Sequence, residues 1–508
     1  METPSWTTLA AAWLATATLF LLTMHLRRQR KLPPGPTPWP IIGNLNLIGS
    51  LPHRSFHSLS QKYGPIMHLR FGSVPVIVGS SADIAKVFLK TMDVTFASRK
   101  QSAAGKLMGY DYSGITWSSY GPYWRQVRRI SLMEMLSAKH LESYEYIRVE
   151  EMKALLKGLH DKSGELIMLK DRLSTVGLNI ISRMMLGKRF TDDIENALVK
   201  PEELKKMLDE FFLLSGVFNI GDSIPWLDFL DLQGYIKRMK IVAKKVDRFW
   251  EHELDEHNAR KKEEGENFVA KDMVDFLLQH ADDPNLEVKL ERHGVKAIAQ
   301  ELLAGGFGSP AVAVEWAFSE LLSQPEIFEK VTEELDRVIG RDRWVDEKDF
   351  PNLPFVDAII KETMRLHPIG PVLSRLANEN CKVSGYDIEK GTRVIMNVWG
   401  IQRDPTLWDQ PNEFRPERFI GRTIDIKGKD FELLPFGSGR RMCPGNMLGL
   451  KMTQSSLANL LHGFTWSLPD GIEKEDVDME EVFGLSMPKM FPLAVVAKPR
   501  LPLPMYAT

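Results

Sequence analysis

The chain has 508 residues, 44% hydrophobic and 26% charged, which is enough apolar content for a large core and is not the composition of a disordered protein. A formal net charge of -2, with no long basic run after residue 31, excludes an electrostatic footprint for nucleic acid. Two cysteines, Cys381 and Cys443, exclude a disulfide framework in a chain this long and fit a reducing compartment.

The first predicted element is a membrane anchor. From Trp6 to Leu26, 21 residues pass without Lys, Arg, Asp or Glu. At about 1.5 Å per residue they span roughly 30 Å, the hydrocarbon thickness of a bilayer. Arg27, Arg28, Arg30 and Lys31 follow as a stop-transfer cluster that keeps the rest of the chain cytoplasmic. A cleaved signal peptide fits less well, because the charge follows the apolar run instead of preceding it. Residues 1–31 are read as anchor and residues 32–50 as a hinge in which Pro33, Pro34, Pro36, Pro38 and Pro40 favour an extended, semi-rigid spacer. Residues 51–508 are read as one helix-rich body.

That body reads as mainly α with a small β subdomain. Alternating residues around a Gly-Ser turn predict a hairpin with strands at 66–71 and 74–79. Helical periodicity predicts helices near 118–134, 140–158, 171–187, 234–261, 289–322, 325–338, 354–366 and 443–462. The charge run at 259–267 reads as a solvated helix end. No repeat at a solenoid period is present.

Within the predicted helix at 289–322, Gly305, Gly306, Gly308 and Pro310 interrupt an apolar stretch. They forgo roughly 6 kcal/mol of helix preference relative to alanine, so the helix must gain something by what it faces. Near the C-terminus, "PFGSGRRMCPGNMLGL" at 435–450 sets a single cysteine among glycines just ahead of an apolar helical run. A lone cysteine is most often a small buried residue. Here Gly437, Gly439 and Gly445 permit tight turns and free N–H groups, and the following helix presents its positive end to the sulfur. Such surroundings lower a thiol pKa and suit a thiolate nucleophile or metal ligand.

Phe436, Gly439, Arg441, Cys443 and Gly445 resemble, position for position, the haem-binding signature Phe-x-x-Gly-x-Arg-x-Cys-x-Gly of the cytochrome P-450 superfamily. "KETMRLHP" with Glu362 and Arg365, "FRPERF" with Arg418 and "WRQVR" with Trp124 and Arg128 agree with that family in order and spacing. With the anchor and hinge, the likeness covers nearly the whole chain and is similar to the plant microsomal A-type branch. It implies the cytochrome P-450 fold behind a transmembrane helix, haem b held by Cys443 as metal ligand, and a cytoplasmic catalytic domain on the endoplasmic reticulum. It also implies monooxygenase activity with O2, electrons from an NADPH-cytochrome reductase, and a lipophilic phenolic or terpenoid substrate.

By the same analogy Glu362, Arg365 and Arg418 form a buried network under the cysteine loop; alone, an i to i+3 Glu and Arg pair is usually a surface salt bridge. Trp124, Arg128, Arg375 and Arg441 are candidates to neutralise the haem propionates, since a carboxylate taken out of water requires a cationic donor. A thiolate ligand favours O–O cleavage. On the distal side, Gly305 and Gly306 are expected to let the helix pass over the porphyrin. Pro310 is expected to kink or widen the helix and free the Gly306 carbonyl into a groove for dioxygen and water.

The distal motif departs from the family's Gly-Gly-x-Asp/Glu-Thr-Thr/Ser. Gly308 stands where the acid belongs, Ser309 keeps a hydroxyl at the threonine position, and Pro310 replaces a hydroxyl residue. Either Ser309 and water suffice for hydroxylation, or the chemistry has moved toward oxidative ring closure, coupling or rearrangement; a haem-carrying scaffold without turnover is the third reading. Analogy places 103–114, Phe211 to Phe218, Glu301 to Phe307, 369–373 and 483–487 around the pocket. Phe307 is expected to project near the iron, although an aromatic on a helix is more often core.

Overall fold

The computed structural model describes residues 31–190 and 198–507, with scattered positions before residue 31, so the anchor span falls almost wholly outside the described residues. The proline-rich segment that follows is laid along the sheet. The His68 N–H donates to the Pro34 carbonyl at 2.8 Å, and the Asn44 side chain joins the Pro36 and Thr37 carbonyls to the Arg70 N–H. Gly35 passes so close that a Cβ there would lie 1.9 Å from the His68 oxygen. The spacer expected from the prolines is thus held to the body by backbone hydrogen bonds.

The longer helices are α1 (Pro52–Tyr63), α2 (Pro122–Ile130), α3 (Glu145–His160), α4 (Leu169–Leu186), α5 (Pro201–Gly216), α6 (Tyr235–Glu264), α7 (Met273–Ala281), α8 (Arg292–Ser323), α9 (Pro325–Ile339), α10 (Pro354–Leu366) and α11 (Asn446–Gly463). Proline starts α1, α2, α5, α9 and α10, in the first turn, where its missing N–H has no intrahelical partner to lose. The sequence reading missed α1, α5 and α7. The latter two carried visible start signals: Pro201 with Glu202 and Glu203 for α5, and Asp272, whose side chain accepts from the Asp275 N–H, for α7.

Four strands, β1 (Ile66–Phe71), β2 (Val74–Gly79), β7 (Arg393–Asn397) and β4 (Val372–Leu376), pair in that order. The β1–β2 hairpin is the one expected, and Gly72 at φ +55° makes its turn. β7 joins β2 in parallel and β4 in antiparallel fashion. A second sheet orders β3 (Leu166–Met168), β9 (Ala494–Pro499) and β8 (Phe464–Ser467), and β5 (Cys381–Val383) pairs with β6 (Tyr386–Ile388).

α8 runs through the largest hydrophobic cluster and packs against α4, α10 and α11. It is the one described helix long and apolar enough to cross a membrane, but most of that stretch is buried inside the body, as in a core helix. Its backbone is α-helical throughout Arg292–Ser323, so the widened turn expected at Pro310 is not formed.

Candidate active site

Cys443 lies in the loop before α11, which starts at Asn446 rather than at the cysteine. The loop is closed by its own backbone: Gly437 N–H to Leu434 O at 3.0 Å, Met442 N–H to Gly439 O at 3.0 Å and Cys443 N–H to Phe436 O at 2.9 Å. Gly437 and Gly439 take φ +69° and +71°, and a Cβ on Gly439 would lie 2.0 Å from the Leu89 oxygen, so glycine is required there twice over. Gly445 has an ordinary φ of -88°; its missing side chain leaves open space. The Cys443 side chain lines a cavity of about 330 Å³. Cys443 is exposed on this cavity; the surrounding protein raises its thiol pKa by desolvation, opposed by the Gly445 N–H and the charge of Arg128, the two groups the loop sets against the sulfur.

Under the loop, Arg365 and Glu362 form a fully buried two-pronged pair at 2.7 and 2.8 Å. Arg365 also donates to the carbonyls of Gln402, Pro411 and Glu413, while Glu362 accepts from Arg418 at 3.0 Å and from the Arg415 N–H at 2.7 Å. Gln402 completes the connection. Its amide donates to the Met364 and Arg365 carbonyls, and its oxygen accepts from the Leu434 N–H, where the cysteine loop begins.

Four arginines gather beside this loop. Arg441 donates to the carbonyls of Ala97, Ile115 and Ser118 and stacks on Trp124 at 4.2 Å; the Trp124 indole donates to Ile115 O at 2.9 Å. Arg128 donates to Met442 O at 2.6 Å. Arg375 is buried behind the cavity wall, on Ser374 O and Ser438 O, with Nε unpartnered. The wall position on that side belongs to Arg99, which the sequence reading missed; it donates to Ser374 O and its Nε is also unpartnered. The only sequence signal was an arginine behind the apolar "TFAS", easily taken for a surface Arg-Lys pair.

Among the described residues none of these four makes an ion pair with a carboxylate, whereas the adjacent Arg440 pairs with Asp93 at 2.8 Å. Burial, then mutual repulsion, pushes Arg441 down to about 8 and Arg375 well below the usual guanidinium range, while burial and the nearby Arg393 push Arg99 down to about 10. Buried cations supported only by carbonyls fit a dianionic ligand such as a pair of propionates.

On the opposite wall the glycines of α8 divide their work. A Cβ on Gly305 would meet nothing within 4 Å, so this residue opens onto the cavity as expected. Gly306 also borders it, but a Cβ there would lie 2.8 Å from Ile181 of α4. Reciprocally, a Cβ on Gly177 of α4 would lie 2.4 Å from the Phe307 oxygen and 3.6 Å from the Gly306 oxygen. The carbonyl expected to roof an oxygen groove therefore sits beside α4, where two glycines let the helices approach closely. Ser309 and Pro310 line the cavity, Gly308 does not, and Phe307 is 1% exposed in the core instead of projecting toward Cys443. Of the expected pocket segments, Phe211, Phe212, Ser215, Ile369, Leu373 and Leu485 contribute; residues 103–114 do not, and the wall there is Ile115 to Trp117.

Glu301, one turn before Gly305, is the only carboxyl on the described wall. Burial pushes it up to about 7, opposed by its hydrogen bonding to Thr116, by the neighbouring Ile115 backbone and by the charge of Arg441.

A family model described as Cytochrome P450 matches residues 33–492. The chain is 46% identical over 498 residues to trimethyltridecatetraene synthase of Zea mays, covering 94% of this chain and 90% of that protein. It is 43% identical to dimethylnonatriene synthase of Zea mays, with 98% and 97% covered, and 41% identical to flavonoid 3'-monooxygenase of Petunia hybrida, with 95% of each covered. Among solved structures it is similar to a zebrafish cytochrome P450 with abiraterone, at TM-score 0.74 and 26% identity, covering 88% of this chain and 100% of that one.

Proposed function

The chain belongs to the cytochrome P450 family, and from that premise we propose that it is a haem-thiolate monooxygenase of plant specialised metabolism, anchored to the endoplasmic reticulum and fed electrons by an NADPH-cytochrome reductase. Its substrate on this reading is a lipophilic terpenoid or phenolic compound, in keeping with the synthases of polyunsaturated hydrocarbons and the flavonoid monooxygenases it is similar to. The observation that carries the reading is one cavity in which a cysteine sulfur, arginines without carboxylate partners and a glycine-opened helix face one another.

In this arrangement Cys443 would hold the iron of haem b, and Arg99, Arg128, Arg441 and Trp124 would hold its propionates, with Arg375 supporting them from behind. When bound, the haem supplies dioxygen activation and oxidation of unactivated carbon. The chain's own residues do the rest. Apolar side chains such as Ile181, Phe211 and Leu485 orient a lipophilic molecule and exclude water. Gly305 leaves the space above the cysteine clear. Ser309 carries the only hydroxyl that α8 presents to the cavity, and its Oγ is where a proton would be handed on, because Gly308 offers no acid. That departure favours oxidative cyclisation, coupling or rearrangement over simple hydroxylation as the second reading.

The test is turnover by the full-length protein reconstituted with reductase and NADPH on terpenoid alcohols and flavonoids. NADPH-dependent product supports the proposal. Intact haem without product across the panel supports a non-catalytic membrane scaffold instead.

A further inference from the structure

The cavity wall is almost entirely apolar apart from the arginine cluster, yet two of the residues that line it each carry a buried polar atom without a hydrogen-bond partner, shielded from the open cavity until the side chain turns: Glu301 Oε1 on α8 and Ser215 Oγ on α5. Glu301 Oε2 accepts from the Thr116 N–H at 2.9 Å. Oε1 lies over Gly114, where a Cβ would stand 2.2 Å from it, so the absence of a side chain at 114 is what admits this carboxyl. Deletion of a buried hydrogen bond is costly because the group left behind keeps its desolvation penalty, about 1–3 kcal/mol. Two such groups on one ligand-sized cavity are therefore an anchor waiting for a ligand oxygen.

We propose that Glu301, with Ser215 as a second contact, is the specificity-determining group of this cavity and takes a hydroxyl of an otherwise apolar substrate. The inference rests on the monooxygenase reading for what happens after binding, but not for the binding itself. The terminal torsion of a glutamate is broad, so a modest rotation turns the free oxygen to the cavity without breaking the helix. The charged and titratable groups around it are Arg99, Arg441 and Tyr123. Burial favours its neutral form, which can donate as well as accept. A neutral anchor matches an alcohol or phenol. An apolar pocket alone separates a hydroxylated compound from its parent hydrocarbon poorly, whereas a site built to hydrogen-bond the hydroxyl separates them well.

Two matched pairs test this: farnesol against farnesene, and 7-hydroxyflavanone against flavanone. Affinities are read in full-length protein both by the change in haem absorption and by ligand-induced thermal shift. In the wild type the hydroxylated member of at least one pair is expected to bind roughly tenfold more tightly. Glu301→Leu should erase that preference while leaving the parent compound within about twofold, Glu301→Gln should keep most of it, and Ser215→Ala should lose about threefold. Equal affinities within both pairs in the wild type, no binding of either pair, or equal weakening of both members in Glu301→Leu would overturn the anchor. Should Glu301→Leu fail to fold, the Ser215→Ala and Glu301→Gln pair decides. A missing thiolate spectrum with an intact hydroxyl preference by thermal shift would sink the monooxygenase reading and leave the anchor standing.

Discussion

The loop that carries Cys443 and the helix that faces it differ in how they treat polar groups. Beneath the loop, Glu362, Arg365, Arg418 and Gln402 satisfy one another and the surrounding carbonyls in a continuous buried network that ends on Leu434. Across the cavity, α8 and its neighbour α5 leave Glu301 Oε1 and Ser215 Oγ without partners, and α8 gives up side chains at Gly305, Gly306 and Gly308. On the proposed reading, the first region would hold a ligand atom in one place, and the second would keep volume and hydrogen-bonding capacity in reserve for molecules that come and go. Rigidity and vacancy are thus divided between the two walls, and substitutions on each side should fail in different ways.

The largest effect is expected on the loop side. Glu362→Gln removes the charge that two buried guanidiniums share, and breaking one partner of such a pair typically costs 3–5 kcal/mol. Thermal unfolding and haem content should both collapse; normal haem content would show that the network does not support the loop.

Next comes the ionisation of Glu301. Its carboxyl titrates at about 7 in the folded chain and near 4.5 when unfolded. Below pH 4.5 it is protonated in both states and costs nothing. As pH rises toward 7 only the unfolded state releases the proton, so the wild type loses stability relative to Glu301→Gln at about 1.4 kcal/mol per pH unit, about 3 kcal/mol in all. Denaturation midpoints at pH 5 and pH 8 check the sign: the variant's gain on the wild type should be several-fold larger at the higher pH.

A smaller and two-sided effect separates the glycines of the distal wall. Gly177→Ala must push α4 away from the Phe307 oxygen and should cost about 1–3 kcal/mol. Gly305→Ala meets nothing and should raise the unfolding midpoint through helix propensity, by about 1 kcal/mol, while crowding the cavity. Equal losses from both would mean that the cavity is not held open at Gly305. The least energetic change is the most informative about chemistry. A side chain at 308 has room, since a Cβ there meets nothing within 4 Å. Restoring acid and threonine with Gly308→Glu and Ser309→Thr should therefore shift the product ratio or the coupling of NADPH to product; an unchanged pattern removes proton supply as the limiting step.

The same division explains what the sequence made legible. The cysteine loop could be read because its chemistry is local, glycines set around a thiol ahead of a helix, whereas the buried role of Glu362 and Arg365 came through the family resemblance, since an i to i+3 pair alone reads as a surface salt bridge. Most helices around α8 could be read from their apolar period, and the β1–β2 hairpin from its Gly-Ser turn. The distal wall could not be read that way. Gly306 answers to Gly177 and Ile181 on another helix, and no local pattern tells a glycine that opens a cavity from one that admits a neighbouring helix. Arg99 was missed, and Arg375 expected at the wall, for the same reason, since which of two arginines reaches the wall is decided by strand pairing and burial. Glu301 stood inside a segment assigned to the pocket, but its isolation from any partner is visible only in three dimensions.

The central claim is that Cys443 binds iron as a thiolate beneath the opening made by Gly305. The absorption spectrum of the reduced protein under carbon monoxide tests it most directly. The wild type should show the thiolate-ligated band, and Cys443→Ala should lose it while Cys381→Ala retains it. A Cys443→Ala protein with the band intact would contradict the account.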